Sequence, residues 1–127
     1  IEIIEQVGEG LVHLIEEGEI NSIEMRNLLF KYLNPMIEEN IDALVLGCSH
    51  FPYLISHIRE IIGNKVKIID SGSAVARQTR KVLTKLDILQ KNNPKNNVTH
   101  EFYSNKNTKV LSELLNNKMV KILRKDF

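Results

Sequence analysis

The sequence predicts an α/β fold of the doubly wound, parallel-sheet kind, and two observations carry that expectation. First, Ala43-Leu44-Val45-Leu46, within the run from Ile41 to Gly47, and the later run from Val66 to Ile69 are too short for independent helices and read as buried strands. Second, each is followed by a segment with helical spacing of apolar residues. Strands alternating with helices in this way form parallel sheets joined by right-handed crossovers.

The elements follow in order. Glu2 to Gln6 reads as a short strand, because Ile3, Ile4 and Val7 form a β-branched cluster that Gly8-Glu9-Gly10 interrupts. Leu11, Val12, Leu14 and Ile15 recur at helical spacing up to Glu17, and Gly18 supplies the stop. Asn21 with Glu24 forms a capping-box-like start for a longer helix, whose stripe is Leu28, Leu29, Tyr32, Leu33, Met36 and Ile37. Pro35 lies inside that stripe and is expected to kink or split the helix. The Ile41–Gly47 strand is expected to be buried on both faces. Pro52 then suits the first turn of a helix running to about Ile62, where Gly63-Asn64 stops it.

After the Val66–Ile69 strand, Asp70-Ser71-Gly72 leads into a helix from about Ser73 to Leu89. Gln90 to Asn97, rich in Asn and Lys with Pro94, reads as a solvated connection. A strand from Val98 to Tyr103, a helix from about Lys106 to Leu115 and an apolar stretch from Met119 to Leu123 complete the chain. There is no internal repeat.

Composition narrows the function classes. The 127 residues are 43% hydrophobic and 26% charged, as in a globular domain with a core of ordinary size. Seventeen basic and sixteen acidic side chains leave a formal charge of +1, so no global field favours nucleic acid or an anionic membrane. No apolar run approaches the ~20 residues of a membrane span, and Ile1-Glu2-Ile3-Ile4-Glu5 lacks a signal peptide's basic start. A cytoplasmic location is the expectation. Because the first residue falls inside an apparent strand and is neither Met nor small, the chain is expected to be truncated on its N-terminal side.

Cys48 is the single cysteine, so an internal disulfide is excluded. What remains is a reactive thiol or a buried small apolar residue. Ligands of an open parallel sheet bind at the carboxyl ends of strands, where helix N-termini present unpaired N–H groups. Two loops fall there, Gly47-Cys48-Ser49-His50 and Asp70-Ser71-Gly72. The helix opened by Pro52 and the imidazole of His50 both favour the thiolate form of Cys48. Metal binding would need two further ligands at finger-like spacing. A cysteine phosphatase would need an anion-binding arginine close behind the thiol, and the nearest is Arg59. A Cys/His hydrolase stays open, although two residues is an awkward separation for its base. Proton transfer fits at least as well.

Other titratable residues have plainer readings. His13 and His57 fall on helices as surface or boundary residues. Glu16 lies in a Glu16-Glu17-Gly18-Glu19 cluster that reads on its own as a solvated helix end, and Asp70 can cap the helix that follows it.

The segment Asp42-Ala43-Leu44-Val45-Leu46-Gly47-Cys48-Ser49-His50-Phe51-Pro52-Tyr53-Leu54 closely resembles the second cysteine motif of glutamate racemases, in which Thr usually stands at the place of Ser49 and Tyr at that of Phe51. The resemblance continues through Lys67 to Arg77, in His100-Glu101-Phe102-Tyr103-Ser104 and in Leu14-Ile15-Glu16-Glu17-Gly18, and so spans nearly the whole chain. Related aspartate racemases tend to carry Glu where His50 stands, which favours glutamate.

The resemblance implies racemisation of L- and D-glutamate by two thiols acting on opposite faces, without cofactor or metal, to supply D-glutamate for peptidoglycan. It implies that Cys48 is one of the two groups, that His50 assists it, that Glu16 lines the same site, and that Ser49 and Gly47 help hold the substrate. His100 resembles a family position, and no catalytic role is assigned to it. Family members are roughly twice this length, with the partner thiol on an N-terminal domain. Residues 1–72 are therefore expected to form part of a C-terminal α/β domain, and 73–127 to be helix and strand elements returning to a second α/β domain. The 127 residues alone are expected to be inactive and to present apolar faces prone to homodimer formation. The competing expectations are a non-catalytic α/β binding module and a racemase acting on aspartate or a hydantoin.

Overall fold

The computed structural model describes residues 1–90, 99–115 and 120–127. The elements are α1 (Leu11–Glu16), α2 (Ile23–Glu38), β1 (Ala43–Val45), a 3-10 turn (Phe51–Leu54), α3 (Ile55–Ile62), β2 (Lys67–Ile69), α4 (Gly72–Lys85), β3 (His100–Ser104), α5 (Lys109–Leu115) and β4 (Val120–Arg124). They divide between two compact units, Ile1–Gln78 and Thr79–Phe127, with the boundary inside α4. Each unit holds a two-stranded parallel sheet, β1 with β2 in the first and β3 with β4 in the second. The expected α/β class with parallel strands is present, as an incomplete version of the doubly wound sheet.

In the first unit, Gly10 and Gly18 adopt positive φ of 81° and 80° on either side of α1, which is why glycine punctuates both ends. Helix α2 opens one residue later than the capping box predicts. Ser22, with extended backbone, accepts the N–H of Met25 on its hydroxyl at 3.1 Å, so the cap is Ser22 and not Asn21. A single helix runs through Pro35 to Glu38, so the expected split does not occur. The proline falls in the last turn, where its missing N–H costs one bond and few residues remain to be disrupted. Its buried positions, Met25, Leu29, Tyr32, Leu33 and Met36, lie on one helical face.

That face closes a core with Leu11, Leu14 and Ile15 of α1, Leu44 and Leu46 at β1, and Leu54, Ile58 and Ile62 of the turn and α3. Ile15 and Leu54 are wholly inaccessible to solvent. Each such side chain contributes about 1.5–3 kcal/mol of apolar burial, so the core joins the element that ends in Glu16 firmly to the one that follows Cys48.

Two strand expectations need correction. Residues 1–8 carry no regular structure and pair with no strand among the described residues; Ile1, Ile3 and Val7 are exposed. The β1 strand is covered on one face only. Leu44 and Leu46 point into the core while Val45 is 67% exposed, beside Ile69, its registered partner on β2. The alternation of the pleat separates them, and among the described residues helices cover just one side.

The second unit has no described residue in the buried class. Its β3 and β4 pair in register from His100 with Val120 to Ser104 with Arg124, and α5 packs on β4. The expected strand start at Val98, the Gln90–Asn97 connection beyond Gln90, and Met119 lie outside the described residues. No described helix is long and apolar enough to cross a membrane.

Candidate active site

The first unit brings Cys48, Ser49, His50 and Glu16 together at the carboxyl end of β1. After Val45 the chain makes one more sheet contact, the N–H of Leu46 donating to the carbonyl of Ile69 at 2.8 Å, and then leaves the sheet at Gly47. A tight turn follows, in which the N–H of Phe51 donates to the carbonyl of Cys48 at 3.2 Å and that of Tyr53 to His50 at 3.1 Å. Pro52 stands in the first turn of the 3-10 segment, where its lack of an N–H costs nothing. The thiol is thus fixed between a strand and a helical turn, as the sequence predicts.

The His50 ring is the centre of the cluster. Its Nδ1 lies 3.8 Å from Cys48 Sγ and 3.5 Å from Ser49 Oγ. Its Nε2 lies 3.4 Å from Glu16 Oε1, reaching from the 3-10 turn to the end of α1. An ionised carboxylate only accepts, so Glu16 favours the tautomer with hydrogen on Nε2. In the neutral ring Nδ1 is then the acceptor, facing the thiol and the hydroxyl. The ring thus stands between the thiol and the carboxylate, with one nitrogen toward each.

The setting is partly open. The His50 side chain is 34% exposed and that of Glu16 64%, so their attraction is a modest, solvent-screened one. Cys48 is half-buried. It also lines a largely apolar cleft of about 1070 Å³ walled by residues 1–8, α2 and β1, which Glu16, Ser49 and His50 do not line. Cys48 is therefore shared between an apolar cleft and a polar relay.

Gly47 is exposed, and a Cβ built on it meets nothing within 4 Å, so no steric demand for glycine arises within this chain. Asp70 is engaged locally: its Oδ1 accepts the N–H of Gly72 at 2.7 Å, which supports its reading as a cap for α4. His13 is exposed and His57 half-buried, neither within reach of the cluster in any recorded contact. Among the described residues no group of three or more His, Cys, Asp and Glu side chains is placed to hold a metal ion. What sequence reasoning missed is Phe51, whose amide clamps the Cys48 carbonyl. The spacing of a tight turn ahead of Pro52 was the available signal.

No family model matches the chain. Comparison with characterised proteins does find relatives. The chain is 46% identical over 83 residues to the glutamate racemase of Cupriavidus pinatubonensis, covering 65% of this chain and 30% of that protein. It is 40% identical over 89 residues to that of Herpetosiphon aurantiacus, covering 70% and 35%.

Among solved structures, a glutamate racemase isoform from Bacillus anthracis aligns with a TM-score of 0.70 at 26% identity, over 92% of this chain and 44% of that one. The glutamate racemase of Francisella tularensis, solved in complex with D-glutamate, shares the fold at a TM-score of 0.68 and 24% identity, over 91% and 44%. The chain spans about a third of the length of the curated relatives it matches. In sequence and in fold, the chain is similar to the corresponding part of glutamate racemases.

Proposed function

We propose that this chain supplies one half of the acid–base machinery of a glutamate racemase, with Cys48 as the thiol serving one face of the substrate. The observation that carries the reading is the line from Glu16 through His50 to Cys48. Nδ1 accepts the thiol proton, and the thiolate then removes the α-proton of the bound amino acid. A second thiol returns a proton to the opposite face, so the configuration inverts, Cys48 ends as a thiol and its partner as a thiolate. Ser49 and the open backbone at Gly47 stand beside the sulfur, suited to the substrate's carboxylate and ammonium groups. On this reading the two thiols carry the proton transfers without a cofactor. The D-glutamate made would serve peptidoglycan synthesis.

Cys48 is the single cysteine of the 127 residues, and two-base inversion needs a donor on each face. The chain by itself is therefore inactive on this reading, and the partner thiol comes from a further α/β domain. The family relationship of the elements beyond Ser73 supports their belonging with that domain.

A chimera tests the proposal. The matching segment of the Cupriavidus pinatubonensis racemase is replaced by this chain, and L- and D-glutamate interconversion is followed beside α-proton exchange in deuterated water. The chimera should racemise glutamate in preference to aspartate or a hydantoin and lose activity with Cys48→Ala, while the 127 residues alone should do neither. Racemisation by the 127 residues alone, abolished by Cys48→Ala, would overturn the half-site assignment. An active chimera indifferent to Cys48→Ala would overturn the role of the thiol.

A further inference from the structure

The Glu16–His50 contact spans two separate elements, and Gly8 lies where those elements are pinched together. A Cβ built on Gly8 would stand 2.8 Å from Leu11 Cδ1, at the start of α1, and 3.0 Å from Phe51 Cζ, in the 3-10 turn. The first distance is shorter than real Cβ contacts and the second is tighter than nearly all of them, so a neighbour must give way. Leu11 is a core side chain, only 5% exposed, with little room to turn aside. The Phe51 ring is half-buried, and its residue's own N–H is bonded to the Cys48 carbonyl. The loop around Gly8 is itself anchored: Tyr32 of α2 donates its hydroxyl to the carbonyl of Glu9 at 2.8 Å. A side chain at position 8 therefore wedges between α1, which ends in Glu16, and the turn that carries His50.

We propose that Gly8 is a positioning residue, its missing side chain letting Phe51 close against α1 so that His50 reaches Glu16 and faces Cys48. The inference rests on the proposed role of the Glu16–His50–Cys48 line. It adds a residue outside the cysteine loop, and it gives Phe51 a second use besides its amide clamp.

The experiment measures alkylation of Cys48 by iodoacetamide against pH in the 127-residue chain, together with the thermal midpoint. The proteins compared are wild type, Glu16→Gln, Gly8→Ala, Phe51→Leu and the double variant Gly8→Ala/Phe51→Leu. Glu16→Gln should lower the rate near neutral pH by about threefold or more, as small displacements of positioned groups do. Gly8→Ala should reproduce that profile, and so should Phe51→Leu, which crowds nothing and loosens the same contact from the other side. The double variant, in which the methyl group refills the space left by the ring, should return toward wild type, a coupling that a general loss of stability does not produce.

A wild-type profile for both single variants beside an altered Glu16→Gln profile would overturn the role of Gly8 alone. A wild-type profile for Glu16→Gln would overturn the relay, and the inference with it. If Gly8→Ala does not fold, the comparison of Phe51→Leu with Glu16→Gln decides.

Discussion

His50 Nδ1 faces Cys48 Sγ at 3.8 Å while Nε2 of the same ring faces Glu16 at 3.4 Å, so one imidazole joins a thiol to a carboxylate that lies far from it in sequence. His50→Gln removes the basic ring nitrogen that faces the thiol without removing the turn, whose bonds come from backbone groups. Alkylation of Cys48 near neutral pH should then slow by roughly three- to tenfold, with little change in thermal midpoint. An unchanged rate in His50→Gln would mean that the ring is a bystander.

How much of this could be read from the sequence depends on the range of the forces involved. The elements from Leu11 to Lys85 were legible because apolar spacing, glycine stops and Pro52 act within a few residues. Cys48 and His50 share a single turn, so their proximity was legible too. Glu16 was legible only through the family resemblance: as part of an acidic helix end it reads on its own as solvated, and the packing of α1 against the turn brings it to His50. Where the sequence misled, a neighbour decided the outcome. Among the described residues, the Ile3-Ile4 segment has strand composition but pairs with no strand, and Val45 has the composition of a buried strand but is 67% exposed. Propensity describes a residue's preference, and pairing depends on what stands beside it.

The helix cap of α2 separates two adjacent candidates. Ser22 accepts the Met25 N–H, whereas Asn21 is exposed and precedes the cap. Ser22→Ala should destabilise the chain by about 1 kcal/mol, and Asn21→Ala should be close to neutral. Denaturant midpoints of the two variants decide, and a larger loss in Asn21→Ala would reverse the assignment.

Arg59 ties the end of α3 to the start of the strand next to Cys48. Its Nη1 donates to the carbonyls of Gly63 and Val66, both at 2.7 Å, so one guanidinium fixes the connection between α3 and β2. Gly63 turns there with φ of 70°, leaving its carbonyl without a helical partner. Charge-assisted bonds of this kind contribute about 1.5–3 kcal/mol when shielded, and partial exposure lowers the expectation for Arg59→Ala to about 1–2 kcal/mol. Arg59→Lys should recover little, because an ammonium lacks the planar fork. Urea titrations in which Arg59→Lys matches wild type would show that charge alone suffices.

The second unit has a pH response of its own, centred on Glu101. The Tyr103 hydroxyl donates to Glu101 Oε2 at 2.7 Å, and Lys121 reaches Oε1 at 3.4 Å. The hydroxyl first, then Lys121, holds the carboxyl below its ordinary 4.5, and the Glu101 carboxylate holds the Tyr103 phenol above its ordinary 10.0. The signs of the two effects are opposite. A lowered carboxyl stabilises the fold above its unfolded value, and that contribution is lost as pH falls through the lowered one. A raised phenol stabilises the fold below its unfolded value, and that contribution is lost as pH rises through the raised one. The pair therefore supports the β3–β4 sheet between the ordinary carboxyl and phenol values and weakens beyond both ends. Subtracting the phenolate absorbance titration of Tyr103→Phe from that of wild type isolates Tyr103 from Tyr32 and Tyr53. Its midpoint should lie above the ordinary value in wild type and move down in Glu101→Gln, where no carboxylate remains to oppose a second negative charge. A midpoint that stays in place in Glu101→Gln would mean that the hydroxyl and carboxylate do not interact in solution.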